Sequence, residues 1–204
     1  AQNVKNLAVE EGDAVLSFAK DHEIGLVVVG PEAPLVAGVA DVVRAAGIPI
    51  FGPDAQGAQL EGSKTYSKEF MDANGIPTAR YASFTDEAQA RAYCEELGAP
   101  LVVKADGLAA GKGVIVAETL ECFQGAFGEA GNRVVIEEML KGPECSLLAF
   151  VSKGKAFCMA PAQDHKRAYD GDLGPNTGGM GVYSPVPIVT DEEMAAMVSV
   201  META

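Results

Sequence analysis

A chain of 204 residues with 29 Asp+Glu against 15 Lys+Arg carries a formal charge of -14. That surplus repels phosphate backbones and anionic bilayer surfaces at long range, which excludes a general nucleic-acid binder and a membrane-surface protein. A hydrophobic share of 48% beside 22% charged residues is ordinary globular composition, and apolar runs such as Leu26 to Val29 are too short to cross a bilayer, so a soluble protein of two modest domains or one interrupted domain is expected.

In chain order, Asp13 to Asp21 is amphipathic and predicts a helix, and Ile24 to Val29 is an apolar β-branched run closed by Gly30-Pro31. Leu35 to Ala46 reads as a helix and Ile48 to Phe51 as a short strand closed by Gly52-Pro53. This βαβ rhythm implies a parallel sheet, and ligands of such sheets sit beyond the carboxyl ends of the strands, where Gly30 and Gly52 fall. Helices are expected over Ser63 to Ala73, stopped by Asn74-Gly75 and Pro77, and over Thr85 to Leu97, with Asp86 and Glu87 in the first turn. After Pro100 strands dominate: Leu101 to Lys104, Gly113 to Ala117, Arg133 to Met139, Cys145 to Val151 and Lys155 to Ala162. Short turns such as Ser152-Lys153-Gly154 point to an antiparallel sheet. Gln163 to Tyr183, with five glycines, reads as a long irregular loop, and Asp191 onward as helix.

The four cysteines, Cys94, Cys122, Cys145 and Cys158, have no Cys-x-x-Cys pair and no regular spacing, so they are expected to be buried reduced thiols. The chain starts at Ala1 without an initiator Met and stops at Ala204 inside a helical pattern, which suggests part of something longer.

Three segments carry chemistry. In Val103 to Val114, glycines at 107, 111 and 113 let backbone N–H groups turn toward an anion, and Lys104 and Lys112 supply point charges for phosphate. The segment is not a P-loop: the residue six before Lys112 is Asp106 rather than Gly, and Gly113 and a strand follow instead of Ser/Thr and a helix. A hairpin covering phosphate, and a plain hairpin with a glycine-rich tip, both suit it. In Glu137 to Glu144, carboxylates at 137, 138 and 144 surround a strand end and a turn; they are able to accept hydrogen bonds from an adenine amino group or ribose hydroxyls, or simply to face water. In Gln163 to Gly181, Lys166 and Arg167 form a basic pair in an acidic protein, His165 is a candidate general base or a surface residue, and Gly178-Gly179-Met180-Gly181 offers exposed N–H groups.

Taken together, Gly30 to Val36, Leu60 to Lys64, Lys104 to Gly113, Gln163 to Arg167 and Pro175 to Gly181 resemble the phosphoribosylamine-glycine ligases of the ATP-grasp superfamily, in the family's order and through nearly the whole chain. The resemblance implies an incomplete Rossmann-like parallel-sheet domain over 1–62, α/β in class. An incomplete α+β ATP-grasp domain over 63–204 would follow it, with a lid at about 77–141. It implies ATP-dependent ligation of glycine to 5-phosphoribosylamine through glycyl phosphate, in purine biosynthesis. ATP would be the co-substrate with Mg2+ or Mn2+, in a cytoplasmic monomer acting on small molecules. Lys64 and Lys104 are similar to the family's phosphate-contacting lysines, and Asp106, Gly107, Gly111, Lys112 and Gly113 belong to the loop closing over the triphosphate. Glu137 with Met139 and Leu140 matches the adenine-binding linker, and Glu144 the ribose-binding acid. Gly30, Pro31, Glu32, Asn176, Thr177, Gly178 and Gly179 resemble parts of the substrate sites, while Asp164, Lys166 and Arg167 join Lys64 and Lys104 as the catalytic set.

The chain departs from the family's pattern in three places. The family's first strand is expected before Ala1. Its metal ligands are expected after Ala204, so that the 204 residues alone should not turn over. The helix between Glu118 and Gly128 is about two and a half turns short. Another ATP-grasp ligase or carboxylase, and a nucleotide-binding module without turnover, are the alternatives.

Overall fold

The computed structural model describes residues 10–108, 113–119, 133–171 and 173–203. Gly111, Lys112 and the shortened segment that starts at Glu118 lie wholly or mostly outside them. The chain divides into two compact units, Ala1–Phe70 with Arg80–Glu138, and Met71–Ala79 with Met139–Ala204.

In the first unit, helix α1 (Gly12–Asp21) has Asp13 in its first turn and Lys20 in its last, each sign at the end the helix dipole favours. Strands β1 (Val27–Val28) and β2 (Ile50–Phe51) pair in parallel, Val27 with Ile50 and Val28 with Phe51, so the βαβ rhythm is real although both strands are shorter than expected. The helix expected over Leu35 to Ala46 is two helices, α2 (Glu32–Val36) and α3 (Val39–Ala45), parted at Gly38 with φ 86°. A left-handed residue interrupts the helical ladder, and only glycine adopts it without strain. Helix α3 buries Val39, Ala40 and Val43, one stripe at helical spacing. Arg44 Nη2 donates to Gly52 O at 2.9 Å and Asp41 Oδ2 accepts from Ala55 N at 2.8 Å, tying α3 to the chain after β2.

Helices α4 (Gln59–Gly62) and α5 (Lys64–Ala73) follow, then β3 (Tyr81–Phe84), a strand the sequence reading passed over. Asp86 caps α6 (Glu87–Leu97) by accepting from Gln89 N at 2.9 Å, and Gly98 at φ 78° ends it. Strands β4 (Leu101–Ala105), β5 (Val114–Ala117) and β6 (Val134–Glu138) complete a four-stranded antiparallel sheet in the order β3-β6-β4-β5. Side chains alternate across it. Leu101, Val103, Ala117, Val134 and Ile136 on one face enclose Ala90 and Cys94 of α6 in the core of this unit.

The second unit holds the hairpin β7 (Ala149–Ser152) and β8 (Lys155–Cys158), turned at Lys153 and Gly154 with φ 51° and 70°. Two positive φ values make the type I′ turn that suits a two-residue hairpin loop. The strand expected over Cys145 to Val151 is shorter, with Ser146 bridging Ala162 instead. The loop expected over Gln163 to Tyr183 is corrected as well. It contains β9 (Gln163–Asp164) paired with β12 (Val182–Tyr183), and β10 (Arg167–Tyr169) paired with β11 (Leu173–Asn176). Helix α7 (Asp191–Thr203) opens with a capping box, Thr190 N donating to Glu193 Oε2 at 2.8 Å and Glu193 N to Thr190 Oγ1 at 3.2 Å. The expectation that the cysteines are buried holds for Cys94 alone among the described ones; Cys145 is exposed and Cys158 half-buried, all three free.

Candidate functional site

On the face of the sheet opposite the apolar core, register sets Val102 and Lys104 of β4 on the same side as Val135 and Glu137 of β6 and Tyr81 and Ser83 of β3. Thr65 and Lys68, three residues apart on α5 and therefore on one helix face, come down on it. Thr65 Oγ1 lies 3.1 Å from Ser83 Oγ. Lys68 Nζ lies 3.1 Å from Glu137 Oε2, and 5.4 Å from the centre of the Tyr81 ring. Lys104 Nζ takes the other carboxylate oxygen, Oε1, at 2.9 Å. Glu137 therefore stands between two ammonium groups, and both its own side chain and that of Lys68 are over nine-tenths covered, whereas Lys104 keeps 29% exposure.

Beside this cluster the chain turns at the end of β4. Ala105 N donates to Gly113 O at 2.7 Å and Asp106 N to Arg133 O at 3.1 Å. The Asp106 carboxylate faces the start of α5: Oδ1 accepts from Ser63 Oγ at 3.1 Å, Thr65 N at 3.2 Å and Gly107 N at 3.0 Å. Partial burial raises the pKa of Asp106, but the hydrogen bonds from Thr65, Ser63 and Lys64 outweigh it and leave the group below its ordinary value. Lys64 Nζ donates to Gly107 O at 2.8 Å. Gly107 sits at φ 98° with Gly62 O 4.0 Å from where a Cβ would stand, so the turn depends on glycine. Of the expected nucleotide residues, Lys64, Asp106 and Gly107 form one network, and Lys104 and Glu137 another. Gly113 joins the turn through its carbonyl. Gly30, Pro31 and Glu32 lie exposed at the carboxyl end of β1, where α2 begins.

In the second unit Met139 is half-buried, and Leu140 and Glu144 are exposed. The remaining candidates assemble around the β9–β12 pair. Asp164 Oδ2 and Lys166 Nζ are 3.0 Å apart, and Arg167 Nη1 donates to Gly174 O at 2.7 Å. Thr177 N donates to Lys166 O at 2.6 Å and Gly179 N to Thr177 Oγ1 at 3.1 Å. Gly179, at φ 104°, has Asp164 Oδ2 3.0 Å from a would-be Cβ, and Gly178 precedes it. Tyr183 donates to Gln163 Oε1, and its ring lies 5.5 Å from that of His165. An open cavity of about 300 Å³ is lined by His165, Arg167, Tyr169, Asp170 and Met180. Arg167 gives that lining one positive charge and Asp170 one negative.

Lys68 and Tyr81 escaped the sequence reading. The signal available for Lys68 was its place three residues after Thr65, on the same face of α5. Among the described residues no group of three or more His, Cys, Asp or Glu side chains is placed to hold a metal ion, and no helix is long and apolar enough to cross a membrane.

Residues 1–61 match the model of the phosphoribosylglycinamide synthetase N domain, and residues 62–204 that of the phosphoribosylglycinamide synthetase ATP-grasp (A) domain. A Vibrio vulnificus protein named phosphoribosylamine–glycine ligase is 57% identical over 196 residues, covering 92% of this chain and 46% of the relative. One of the same name from Yersinia pestis is 54% identical over 196 residues, with the same coverage of 92% and 46%. The crystal structure of phosphoribosylamine–glycine ligase from Thermotoga maritima is 38% identical, covers 76% of this chain and 41% of that one, and superposes with a TM-score of 0.69. The chain spans about half the length of the curated relatives it matches.

Proposed function

The chain belongs to the phosphoribosylglycinamide synthetase family, and on that premise we propose that it serves the ATP-dependent ligation of glycine to 5-phosphoribosylamine in purine biosynthesis. A glycine carboxylate oxygen attacks the γ-phosphorus of ATP and ADP leaves. The phosphoribosylamine nitrogen then attacks the acyl carbon of glycyl phosphate, phosphate leaves, and the nitrogen loses a proton, giving glycinamide ribonucleotide. Such chemistry needs positioning and charge neutralisation, and no side chain has to act as a covalent nucleophile.

The observation that carries this reading is Lys104, part-exposed at the end of β4 beside the Asp106–Gly107 turn and held by a buried carboxylate at 2.9 Å. A fixed ammonium next to a glycine-bearing turn is what a phosphate needs. In this proposal Lys64 and Lys104 contact the phosphates, and Asp106, Gly107 and Gly113 anchor the covering loop together with Gly111 and Lys112. Glu137, Met139, Leu140 and Glu144 serve the nucleoside. Gly30, Pro31, Glu32, Asp164, Lys166, Arg167, Asn176, Thr177, Gly178 and Gly179 serve glycine and the ribose phosphate. The division at 62/63, the lid at about 77–141, the cytoplasmic setting and a monomeric state are part of the same proposal. Mg2+ or Mn2+ belongs to it as companion of the triphosphate. Among the described residues no group of three or more His, Cys, Asp or Glu side chains is placed to hold that ion.

The test is ADP release by the whole protein carrying this chain, with glycine and 5-phosphoribosylamine supplied together and singly. Release that requires both is expected. Release that answers to bicarbonate in place of glycine refutes the ligase reading in favour of a carboxylase.

A further inference from the structure

We propose that Ser63 is a positioning residue for the phosphate site. Through the Asp106 carboxylate it sets the Gly107 carbonyl on which the Lys64 ammonium rests. The inference rests on the reading that Lys64 contacts nucleotide phosphate, and goes beyond it by giving a task to a side chain that does not touch the ligand.

Ser63 is the residue before α5, and its hydroxyl accepts from Tyr66 N at 3.1 Å, the bond of an N-cap. A hydroxyl has one proton besides its lone pairs, and an ionised carboxylate only accepts. Asp106, whose pKa lies below its ordinary value, is ionised at neutral pH, so the Ser63 proton points at it. Ser63 Oγ lies 3.1 Å from Asp106 Oδ1 and 3.4 Å from Oδ2. Rotation of a carboxylate about its last bond is otherwise loosely held, and a donor reaching both oxygens fixes it. With that rotation fixed, Oδ1 meets Gly107 N at 3.0 Å.

The bonds then close into a ring. Gly107 O accepts from Lys64 Nζ at 2.8 Å, and Lys64 is the covalent neighbour of Ser63. The ring runs from Ser63 through Asp106 and Gly107 to the Lys64 ammonium, and back along the lysine stem. That stem is long and flexible, and an ammonium without a second point of attachment samples many positions. Here Gly107 O is that point, and it takes one of the three donors an ammonium carries. Capping α5 requires only a Ser63 lone pair, whereas the donated proton goes to the base of the turn after β4. Thr65 N also reaches Asp106 Oδ1, at 3.2 Å, so α5 stays tied to the turn without the hydroxyl. What Ser63 adds is the orientation of the carboxylate, and with it the place of the lysine.

The experiment is a double-mutant cycle read by calorimetric titration of ADP, and separately of adenosine, into the whole protein carrying this chain. Lys64→Met should weaken ADP about tenfold or more, as for a lost charged contact to phosphate. Ser63→Ala should weaken ADP about three- to tenfold and leave adenosine within about twofold of the parent. In the Lys64→Met background, Ser63→Ala should weaken ADP by less than about twofold more, because no ammonium is left to place. If the two losses multiply instead, Ser63 acts by some route other than Lys64 and the inference is overturned. Unchanged ADP affinity in Ser63→Ala, or an adenosine loss as large as the ADP loss, overturns it too, and leaves the phosphate reading standing where Lys64→Met weakens ADP. Unchanged ADP affinity in Lys64→Met removes that reading itself. Should Ser63→Ala not fold, Ser63→Gly takes its place in the cycle and the same outcomes decide, since glycine is tolerated at an N-cap far better than alanine and has no hydroxyl to offer Asp106.

Discussion

Asp106 links the turn after β4 to the start of α5, and replacing it tests that link quantitatively. Its Oδ1 accepts from Ser63 Oγ, Thr65 N and Gly107 N at 3.1, 3.2 and 3.0 Å. A carboxylate serving the first turn of a helix acts as a cap supplied from elsewhere in the chain, and losing a cap costs about 0.5–2 kcal/mol. The charge at the positive end of the helix adds about 0.3–1 kcal/mol. Asp106→Ala loses both and should cost about 2 kcal/mol, while Asp106→Asn keeps one acceptor oxygen and should cost about 1 kcal/mol. For a protein of this size these are melting-point drops of about 4–8 °C and 2–4 °C.

The pH dependence gives a sharper check. The folded-state pKa of Asp106 lies below its ordinary value of 3.8, so its contribution is fully present above that ordinary value and is lost as pH falls through the lower, folded one. The stability gap between parent and Asp106→Asn, from urea unfolding, should be flat from pH 7 to about 5 and narrow below about 4. A gap absent at pH 7, or undiminished at the lowest pH where both proteins fold, refutes the capping argument.

Lys104→Ala should weaken ATP binding about ten- to a hundredfold by calorimetry, since a hydrogen bond to a charged group contributes about 1.5–3 kcal/mol. Burial pushes the Cys94 thiol up to about 11, and only a thiolate attacks, so at pH 8 mass-mapped alkylation should modify exposed Cys145 and leave Cys94 unlabelled in the folded protein. Gly174→Ala should loosen the β10–β11 pair, because φ is 84° there and a Cβ would enter the Tyr169 ring. The left-handed backbone alone costs about 1–2 kcal/mol, and amide exchange across 167–176 should quicken.

What the sequence made legible was whatever is encoded in neighbouring residues. The Lys153-Gly154 turn, the run at 101–104 and the βαβ rhythm are local signals, and each corresponds to an observed hairpin, strand or parallel pair, whereas Asp86, expected in the first turn of its helix, is the cap before it. Non-local effects were hidden. Gly38 reads as a tolerated glycine in a helical pattern, and only its φ of 86° exposes the break. Strand β3, Tyr81–Phe84, is four residues without strict alternation and is stabilised by pairing with β6, some fifty residues on. The β9–β12 and β10–β11 pairs are too short to announce themselves and draw on partners across glycine turns. At the site, Lys104 and Glu137 were each visible, but that they meet depends on the diagonal register between β4 and β6. Lys68 was hidden because a lysine on a helix is usually solvated.

The sheet also explains why the charges sit where they do. Its face toward α6 carries Leu101, Val103, Ala117, Val134 and Ile136, and each large side chain buried there contributes about 1.5–3 kcal/mol. The opposite face is bounded by the same strands and is able to bury apolar side chains as well, as Val135 at 0% exposure demonstrates. Exchanging a buried ionic group for well-packed hydrophobic residues is commonly neutral or stabilising by about 1–4 kcal/mol. Glu137 and Lys68 are therefore a poor device for stability alone. Their value lies in geometry: strands fix Glu137 to within the tolerance of the ladder, and Glu137 in turn fixes a lysine at the mouth of a turn that carries Gly107. A loop lysine of equal charge would pay more conformational entropy on each binding event, roughly 1.5–2 kcal/mol for a fully ordered side chain. That cost is met here once, during folding, by a carboxylate that the strand cannot let move.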